Sequence, residues 1–217
     1  ESLNRESPHK IHNKISKQLY VLNSKPLICH SIESMYDSVS KLIIITSFEL
    51  FDSIHGIVQS YEINSKNKKI HIVINNIDCR LYSIESGLNY IKNNFENNYF
   101  GKILIHDCAR PFVGKEMFQN IISKTDSNSY SQYSLKLTNG LINTKNFECV
   151  DRDSYAELCS PICCGYKLYD EVFFNFVSAK NRFVFEPLDI INLCGFKINL
   201  IYENINKLKK ITQIYDL

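Results

Sequence analysis

Three short runs of apolar, mostly β-branched residues constrain the fold of this chain more than any other feature. They are Leu42–Thr46 (LIIIT), Ile70–Ile74 (IHIVI) and Lys102–Ile105 (KILI). Because none of them alternates strictly between apolar and polar residues, each predicts a strand covered on both faces, as in a parallel sheet. The 217 residues are enough for one domain with a sizeable core.

Helical patterns lie between and after these runs. Apolar residues recur at spacings of four, three and four residues at Ile84, Leu88, Ile91 and Phe95. A second apolar stripe begins after Gly114 and comprises Met117, Phe118, Ile121 and Ile122. The alternation of strand and helix predicts an α/β sheet with right-handed crossovers. A helix over Lys167–Val177 and a strand over Lys197–Tyr202 are expected to close a single domain, residues 1–217.

Residues 125–149 break this alternation. The segment is rich in Ser, Asn and Thr and has only isolated apolar alternations at Tyr133, Leu135 and Leu137. Such a composition is typical of a protruding hairpin rather than of a core element. We therefore predict a β-arm over about residues 125–149.

Charge and composition exclude several classes of protein. The 25 Lys and Arg residues nearly balance the 23 Asp and Glu residues, so the net charge of +2 gives no overall field that favours nucleic acid. No apolar run approaches the roughly 18 residues of a membrane span, and the first ten residues do not resemble a signal peptide. We expect a soluble intracellular protein with neither a nucleic-acid nor a membrane partner.

The eight cysteines lie mostly in apolar runs, which predicts reduced, buried thiols. Cys159, Cys163 and Cys164 form no CxxC pair and have no nearby histidine, so zinc is disfavoured.

The segment from Ile103 to Phe112 (ILIHDCARPF) is the most informative for chemistry. Asp107 and Arg110 follow a buried strand, at the edge where open α/β sheets bind their ligands. Asp107 could hold a hydrated cation or a sugar hydroxyl, and Arg110 could clamp a phosphate. A plain Asp–Arg pair that ends the strand in a turn remains the alternative.

Arg80 and Ser83 mark a second candidate site, at the start of a predicted helix. Free backbone N–H groups there favour an anion or a polar base edge, although Ser83 could equally be an ordinary N-cap. Lys17 and Lys210 are the remaining candidates, and spacing alone does not distinguish them from solvated lysines. Lys210–Thr212 is expected to close a short strand near the C-terminus.

Six segments in chain order resemble one family. They are SKQLYVLNSKPLICHSIES, CRLYSIESGL, ILIHDCARPF, VDRDSYAELCSP, CGFKINLIYEN and KKITQIYDL. Together they resemble the 2-C-methyl-D-erythritol 4-phosphate cytidylyltransferase family, to which the ribitol 5-phosphate cytidylyltransferases are related. HDCARP and the terminal KIT with its following DL are the most specific pieces, and the resemblance spans about residues 16–217.

The resemblance implies a fold and a reaction. The fold would be a Rossmann-like nucleotidyltransferase domain with a mostly parallel sheet and a protruding β-arm that pairs two subunits in a homodimer. The reaction would join the cytidylyl group of CTP to a polyol phosphate and release pyrophosphate, with Mg²⁺ on the triphosphate. Positioning and electrostatic stabilisation would supply most of the catalysis, because both reactants are anions.

The resemblance also assigns roles to residues at the nucleotide. Lys17 matches a lysine that contacts the CTP phosphates and stabilises the transition state, and Lys210 matches one near the α-phosphate and the acceptor phosphate. The cytidine side of the site matches Asp78, Arg80 and Ser83.

The remaining roles concern the acceptor. Asp107 and Arg110 match the residues that hold its hydroxyls and phosphate, and Asp107 is also the one candidate metal ligand. Further acceptor contacts match Arg152, Ser160 and, in part, Glu186.

The chain departs from the family pattern before Lys17. The family begins with an apolar central strand and a Gly-rich loop, whereas residues 1–13 contain neither Gly nor an apolar run. We expect a sheet without that strand to have a gap in its core and unpaired edges. A glycine pair before Arg80 is also replaced, by Asn76 and Ile77, which bears on recognition of the base.

Three functions therefore stay open at the level of sequence. The chain transfers the cytidylyl group to 2-C-methyl-D-erythritol 4-phosphate, a step in isoprenoid precursor synthesis by the non-mevalonate pathway; it uses ribitol 5-phosphate instead; or it is a non-catalytic nucleotide-binding homologue. The Asn-, Lys- and Ile-rich composition, with only seven glycines, is typical of an AT-biased genome such as that of an apicomplexan. In such a cell the compartment would be the cytoplasm or the plastid (apicoplast).

Overall fold

The computed structural model describes residues 16–62, 69–77, 79–95, 101–168, 187–188, 191, 196–213 and 216. Most strands are short, as follows: β1 (Val21–Leu22), β2 (Lys25–Pro26), β3 (Leu42–Thr46), β4 (Ile70–Ile74), β5 (Lys102–Ile105), β6 (Ser129–Lys136), β7 (Leu141–Ile142), β8 (Cys149–Val150), β9 (Ala156–Gly165) and β10 (Lys197–Tyr202). The helices are α1 (Leu27–Tyr36), α2 (Phe51–Glu62), α3 (Arg80–Asn94), α4 (Lys115–Lys124) and the short turns α5 (Tyr166–Leu168) and α6 (Ile205–Leu208).

The three apolar runs form strands with the predicted bounds. β3 pairs in parallel with β4, while β5 belongs to a four-stranded sheet of order β10-β6-β9-β5. In that sheet β10 is parallel to β6, and β9 runs antiparallel to both β6 and β5. Hence β5, β6 and β10 share one direction, and the prediction of a mostly parallel α/β sheet is confirmed.

Helices cover both faces of the sheet, as the unalternating strands require. Tyr133 of β6 belongs to a core that includes Phe118 of α4, whereas Tyr130 of the same strand packs in a second core with Leu88 of α3. All four side chains are at most 2% exposed. The predicted helical stripes are therefore the faces by which α3 and α4 are buried, and Gly114 is the N-cap of α4 as expected.

The prediction of an arm that begins at residue 125 is wrong. β6 occupies Ser129–Lys136 and is paired on both edges, by β9 and β10. The segment appears polar in sequence, but its Ser and Tyr side chains are buried and the Tyr133 hydroxyl donates to the Met117 carbonyl at 3.2 Å. What remains exposed is residues 137–155, which contain the β7–β8 pair and are called the exposed hairpin below.

Of the elements predicted near the C-terminus, one is wrong and one lies mostly outside the described residues. Lys210–Thr212 does not form a strand; it is an irregular segment, tied to the domain where the Ile211 N–H donates to the Ala109 carbonyl at 2.7 Å. The predicted helix over Lys167–Val177 falls mostly outside the described residues, which include only its first turn. The strand over Lys197–Tyr202 is confirmed.

A cavity of about 620 Å³ separates β3 from β5. Its walls come from both strands and from α1 and α3, and its apolar lining includes Ile32, Ile43, Ile45, Ile84 and Ile103. Within the described ranges β3 pairs with β4 alone and β5 with β9 alone, so each has an unpaired edge. The residues before Lys17, where the sequence lacks the family's first strand, lie mostly outside the described residues, so that expectation stays a prediction.

Candidate active site

Asp107 lies at the centre of a cluster of cations just beyond the end of β5. Its carboxylate is 3.4 Å from Arg80 Nη2, 3.7 Å from Lys210 Nζ and 4.0 Å from Arg110 Nε. These residues come from the start of α3, the C-terminal segment and the loop after β5. The fold thus brings together four of the predicted site residues at the carboxyl end of a strand, where sheets of this class bind ligands.

The cluster keeps Asp107 ionised. Burial alone would raise its pKa, but Arg80 and Lys210, with smaller effects from His106 and Arg110, hold the pKa of this carboxyl below its usual range. One carboxylate faces three cations here, so the cluster carries excess positive charge. An excess of this sign suits a phosphate-bearing ligand.

Arg110 connects the loop after β5 to the C-terminal segment. Its side chain is only 7% exposed, and its guanidinium donates through Nη1 to the backbone carbonyl of Leu208. Leu208 and Ile211 are fully buried on either side of Lys210. Arg110 therefore holds the segment that carries Lys210, and its predicted contact with the acceptor phosphate stays a prediction.

Lys17 and Lys210 come from opposite ends of the chain, and both act on the Cys108 thiol. Burial raises the pKa of Cys108 to about 11, Asp107 adds to the effect, and the two ammonium groups oppose it. An electrostatic effect on the same thiol requires both lysines to lie near it. Both predicted catalytic cations thus act electrostatically on the loop that follows β5.

Arg80 and Ser83 lie in the first turn of α3, as predicted. Cys79, not Ser83, is the N-cap residue; the Ser83 hydroxyl donates to the Cys79 carbonyl and accepts from Asn75 Nδ2, each at 3.2 Å. Both Arg80 and Ser83 line the cavity, together with Gln18 and Asp107. The start of α3 and the cation cluster therefore open onto a common space.

Ser160 faces into the protein. It is 1% exposed, and its hydroxyl accepts from the Asp107 backbone N–H at 3.0 Å. The hydroxyl also lies 3.4 Å from Nδ1 of His106. Its contacts in the structure are thus with the loop that carries Asp107, and its predicted contact with the acceptor stays a prediction.

The other residues predicted to bind the acceptor or the nucleotide either lie apart from this cluster or are not among the described residues. Arg152 is in the exposed hairpin, where its Nη1 donates to the Thr138 carbonyl at 2.6 Å; its described contacts do not join it to Asp107. Asp78 and Glu186 lie outside the described residues. Among the described residues, no contact brings Arg152 to the cluster around Asp107.

The described residues do not form a metal-binding group of their own. Nowhere among them do three His, Cys, Asp or Glu side chains gather, and the three cations near Asp107 already compensate its charge. Mg²⁺ prefers one or two carboxylates with several waters and the substrate's phosphates. Asp107 therefore fits poorly as the main ligand of a resident ion. The seven cysteines that the structure describes as free thiols are only in part buried as predicted: Cys79 and Cys108 are partly exposed, and Cys149 is exposed.

Sequence reasoning missed His106 and the C-terminal anchors. His106 was visible as the first residue of HDCARP, but a histidine after an apolar strand indicates burial as readily as function. Leu208 and Ile211 carry no chemistry, and no motif could have shown that they fix Lys210. Only the folded chain shows these roles.

Comparison with known proteins decides the family. The sequence profile of 2-C-methyl-D-erythritol 4-phosphate cytidylyltransferase matches residues 7–217. The chain belongs to this family. The resemblance read from HDCARP and the other segments is thereby confirmed, and members of the cytidylyltransferase family are nucleotidyltransferases.

Individual relatives agree with the family. The 2-C-methyl-D-erythritol 4-phosphate cytidylyltransferase of Thermosipho africanus is 25% identical over 205 residues, which cover 93% of this chain and 86% of the relative. The ribitol-5-phosphate cytidylyltransferase of Lactiplantibacillus plantarum is 22% identical over 207 residues, with the same coverage. The crystal structure of the 4-diphosphocytidyl-2C-methyl-D-erythritol synthase from Anaerococcus prevotii has a TM-score of 0.76 at 16% identity and shares the fold over 92% of this chain and 89% of its own.

One further observation concerns membranes. In the part of the chain that the structure describes, no helix combines the length and the apolar character needed to cross a bilayer.

Proposed function

We propose that this protein transfers the cytidylyl group of CTP to 2-C-methyl-D-erythritol 4-phosphate, forming 4-diphosphocytidyl-2-C-methyl-D-erythritol and pyrophosphate. One observation of the site supports this most directly. Asp107 organises Arg80, Arg110 and Lys210 within 4.0 Å of its carboxylate, and the charge of Lys17 opposes the rise in the pKa of the neighbouring Cys108 thiol. A cation-rich site with a single acid suits two phosphate-bearing reactants that must approach each other.

The chemistry needs no general base from the protein. An oxygen of the acceptor's phosphate, deprotonated near neutral pH, attacks the α-phosphorus of CTP. A new P–O bond forms there while the bond from the α-phosphorus to the bridging oxygen of the β-phosphate breaks. The electron pair of that bond leaves with pyrophosphate, and no proton has to move in the step.

Lys17 and Lys210 would supply the charge that this step requires. Negative charge accumulates on the α-phosphate oxygens as the nucleophile closes in, and a preorganised ammonium group stabilises it without reorganising solvent. Asp107 orients Lys210 through their ion pair of 3.7 Å. The start of α3, with Arg80 and Ser83, would receive the nucleoside side of CTP, because its free N–H groups and Arg80 favour polar acceptors.

Mg²⁺ enters this proposal as part of the substrate. The described residues offer Asp107 as a nearby carboxylate and no group of three acidic, histidine or cysteine ligands, so the ion would be held chiefly by the phosphates of CTP. When bound it would withdraw charge from the triphosphate. The roles of Arg152 and Glu186 at the acceptor remain part of the proposal.

The acceptor is tested by comparing two polyol phosphates. With CTP and Mg²⁺, we expect pyrophosphate release with 2-C-methyl-D-erythritol 4-phosphate to exceed release with ribitol 5-phosphate by at least about tenfold in kcat/KM. A missing hydrogen bond or a clash of one group accounts for a difference of that size. A coupled phosphate assay measures both acceptors under the same conditions.

Two outcomes would contradict the proposed acceptor or the proposed activity. Faster turnover of ribitol 5-phosphate would assign the chain to the ribitol branch. Calorimetric binding of CTP without turnover of either acceptor would favour the non-catalytic homologue.

We also propose a homodimer that uses the exposed hairpin, residues 137–155. This segment carries large apolar side chains in water: Phe147 is 76% exposed, Tyr155 55% and Ile142 54%. Burying a phenyl ring in a subunit interface contributes about 1.5–3 kcal/mol. Phe147→Asp is therefore expected to raise the dimer dissociation constant more than about tenfold.

Sedimentation velocity over a range of concentrations measures this change. Phe48→Asp is the matched control, because Phe48 is 67% exposed but lies in the turn before α2. A wild-type chain that stays monomeric, or an equal effect of the two substitutions, would rule out this interface.

The compartment is a proposal that rests on composition. The Asn- and Ile-rich, Gly-poor chain suits an AT-biased genome such as that of an apicomplexan, where the family resemblance implies a plastid. Imaging the tagged protein in its source cell tests it.

A further inference from the structure

His106 lies between strand β5 and Asp107 in the sequence, yet the proposed reaction gives it no role. Its Nε2 atom is buried and has no hydrogen-bond partner among the described residues, and its ring packs edge-on against Phe118, with centroids 5.0 Å apart and planes at 88°. Burial lowers the pKa of His106 to about 4, although the neighbouring Asp107 opposes the shift. The imidazole is therefore neutral at physiological pH, and it is not needed as a base.

The other ring nitrogen faces Ser160, whose side chain holds the Asp107 backbone. Nδ1 of His106 lies 3.4 Å from the Ser160 hydroxyl, and that hydroxyl accepts from the Asp107 N–H at 3.0 Å. A serine hydroxyl has a single proton and can accept and donate at once. Since its oxygen accepts from Asp107, its own proton is available to a lone pair on Nδ1.

The local sequence explains why a side chain, and not the backbone, accepts the hydrogen bond from the Asp107 N–H. The β5–β9 ladder ends at the pair Ile105–Ile162, and the next residue of β9 is Pro161, which has no N–H to donate. The backbone of the loop after β5 therefore leaves the ladder at His106. Ser160 takes up the Asp107 N–H in place of a backbone carbonyl.

We propose that His106 is a positioning residue: its neutral Nδ1 accepts from the Ser160 hydroxyl, which thereby presents its oxygen to the Asp107 N–H and fixes the carboxylate between Arg80 and Lys210. The chain of contacts runs from a buried ring to the ammonium group at the α-phosphate. Asp107 can orient Lys210 only if its own backbone is fixed. This inference rests on the proposed function, and it adds a role for His106 and a second role for Ser160 beside the predicted contact of Ser160 with the acceptor.

The test uses two substitutions of His106 that differ in whether the new side chain can accept a hydrogen bond near the position of Nδ1. His106→Leu removes the Nδ1 acceptor and keeps an apolar side chain against Phe118. His106→Asn places an amide oxygen near the position of Nδ1 and restores the acceptor. We expect the leucine variant to lose about tenfold in kcat/KM, the size of one hydrogen bond, and the asparagine variant to recover most of it.

A double-mutant cycle with Ser160→Ala separates positioning from general destabilisation. If His106 acts through the Ser160 hydroxyl, the double variant His106→Leu/Ser160→Ala is no slower than Ser160→Ala alone. Additive losses, or a leucine variant within about twofold of wild type, would overturn the proposal. Melting temperatures of all variants show whether a loss of kcat/KM merely reflects a less stable folded protein.

A second readout does not depend on the reaction. The Asp107 amide should exchange its hydrogen slowly in the wild type and in His106→Asn, and at least about tenfold faster in Ser160→Ala and in His106→Leu. Unchanged exchange in His106→Leu would overturn the positioning role even if the acceptor proved to be a different polyol phosphate. Should His106→Leu fail to fold, the comparison of wild type, His106→Asn and Ser160→Ala decides: equal protection in Ser160→Ala would also overturn it.

Discussion

Replacing Lys210 by alanine is expected to lower kcat/KM for cytidylyl transfer by about 100- to 1,000-fold, which corresponds to roughly 3–4 kcal/mol of transition-state stabilisation. The reason is that its ammonium group, 3.7 Å from the Asp107 carboxylate, is held in place before the reaction begins. Solvent that fills the vacated space must reorient as charge builds up on the α-phosphate. A steady-state assay of CTP-dependent pyrophosphate release measures the loss.

Lys207→Ala is the matched control for this substitution. Lys207 lies in the same C-terminal segment, 50% exposed and 3.6 Å from Glu203, and an exposed pair of this kind contributes little. Its kcat/KM should stay within about twofold of wild type. Lys17→Ala should lose as much as Lys210→Ala, because we propose that both cations stabilise charge on the same phosphate. A Lys210→Ala variant with nearly full activity would refute the assignment of both lysines.

The part of the fold that follows from sequence is the part with continuous apolar runs. β3, β4 and β5 were predictable because a strand that is covered on both faces is a nearly continuous apolar run, which is easily recognised in the sequence. β6 was not, because its buried faces carry Ser and Tyr, residues that sequence patterns assign to surfaces. Tyr133 is fully buried, but its hydroxyl has Asn120 and Met117 as partners, which only the assembled α4–β6 contact supplies.

The site divides in the same way. HDCARP after an apolar strand predicted where Asp107 would lie, since strand ends are where sheets of this class place ligands. The expectation that Lys17 and Lys210 converge came from the family resemblance and could not come from spacing, because the two lie near opposite ends of the chain. The inward turn of Ser160 and the burial of Arg110 depend on tertiary contacts that no local pattern encodes.

Replacing Asp107 by asparagine is expected to weaken the domain and the reaction together. Without the carboxylate, the guanidinium groups of Arg80 and Arg110 and the Lys210 ammonium group repel one another. Breaking a fully buried ion pair costs about 3–5 kcal/mol; because the Asp107 side chain is 23% exposed, we expect the free energy of unfolding to fall by about 2 kcal/mol. The kcat value falls as Lys210 loses its orientation, while KM for CTP does not rise, since the site has become more positive.

The same variant should change how stability depends on pH. The pKa of Asp107 is lower in the folded protein than in the unfolded chain, so its stabilisation is fully present above the unfolded value of about 3.8 and is lost as the pH falls through the folded value. Urea unfolding between pH 7 and pH 3 should therefore show a smaller loss of stability on acidification in Asp107→Asn than in wild type. Asp37→Asn, at an exposed pair with Lys115, should leave stability at pH 7 almost unchanged. If the two variants proved equally stable at pH 7, Asp107 would not be the residue that holds the cations together, because the repulsion released by its removal must appear in the unfolding free energy.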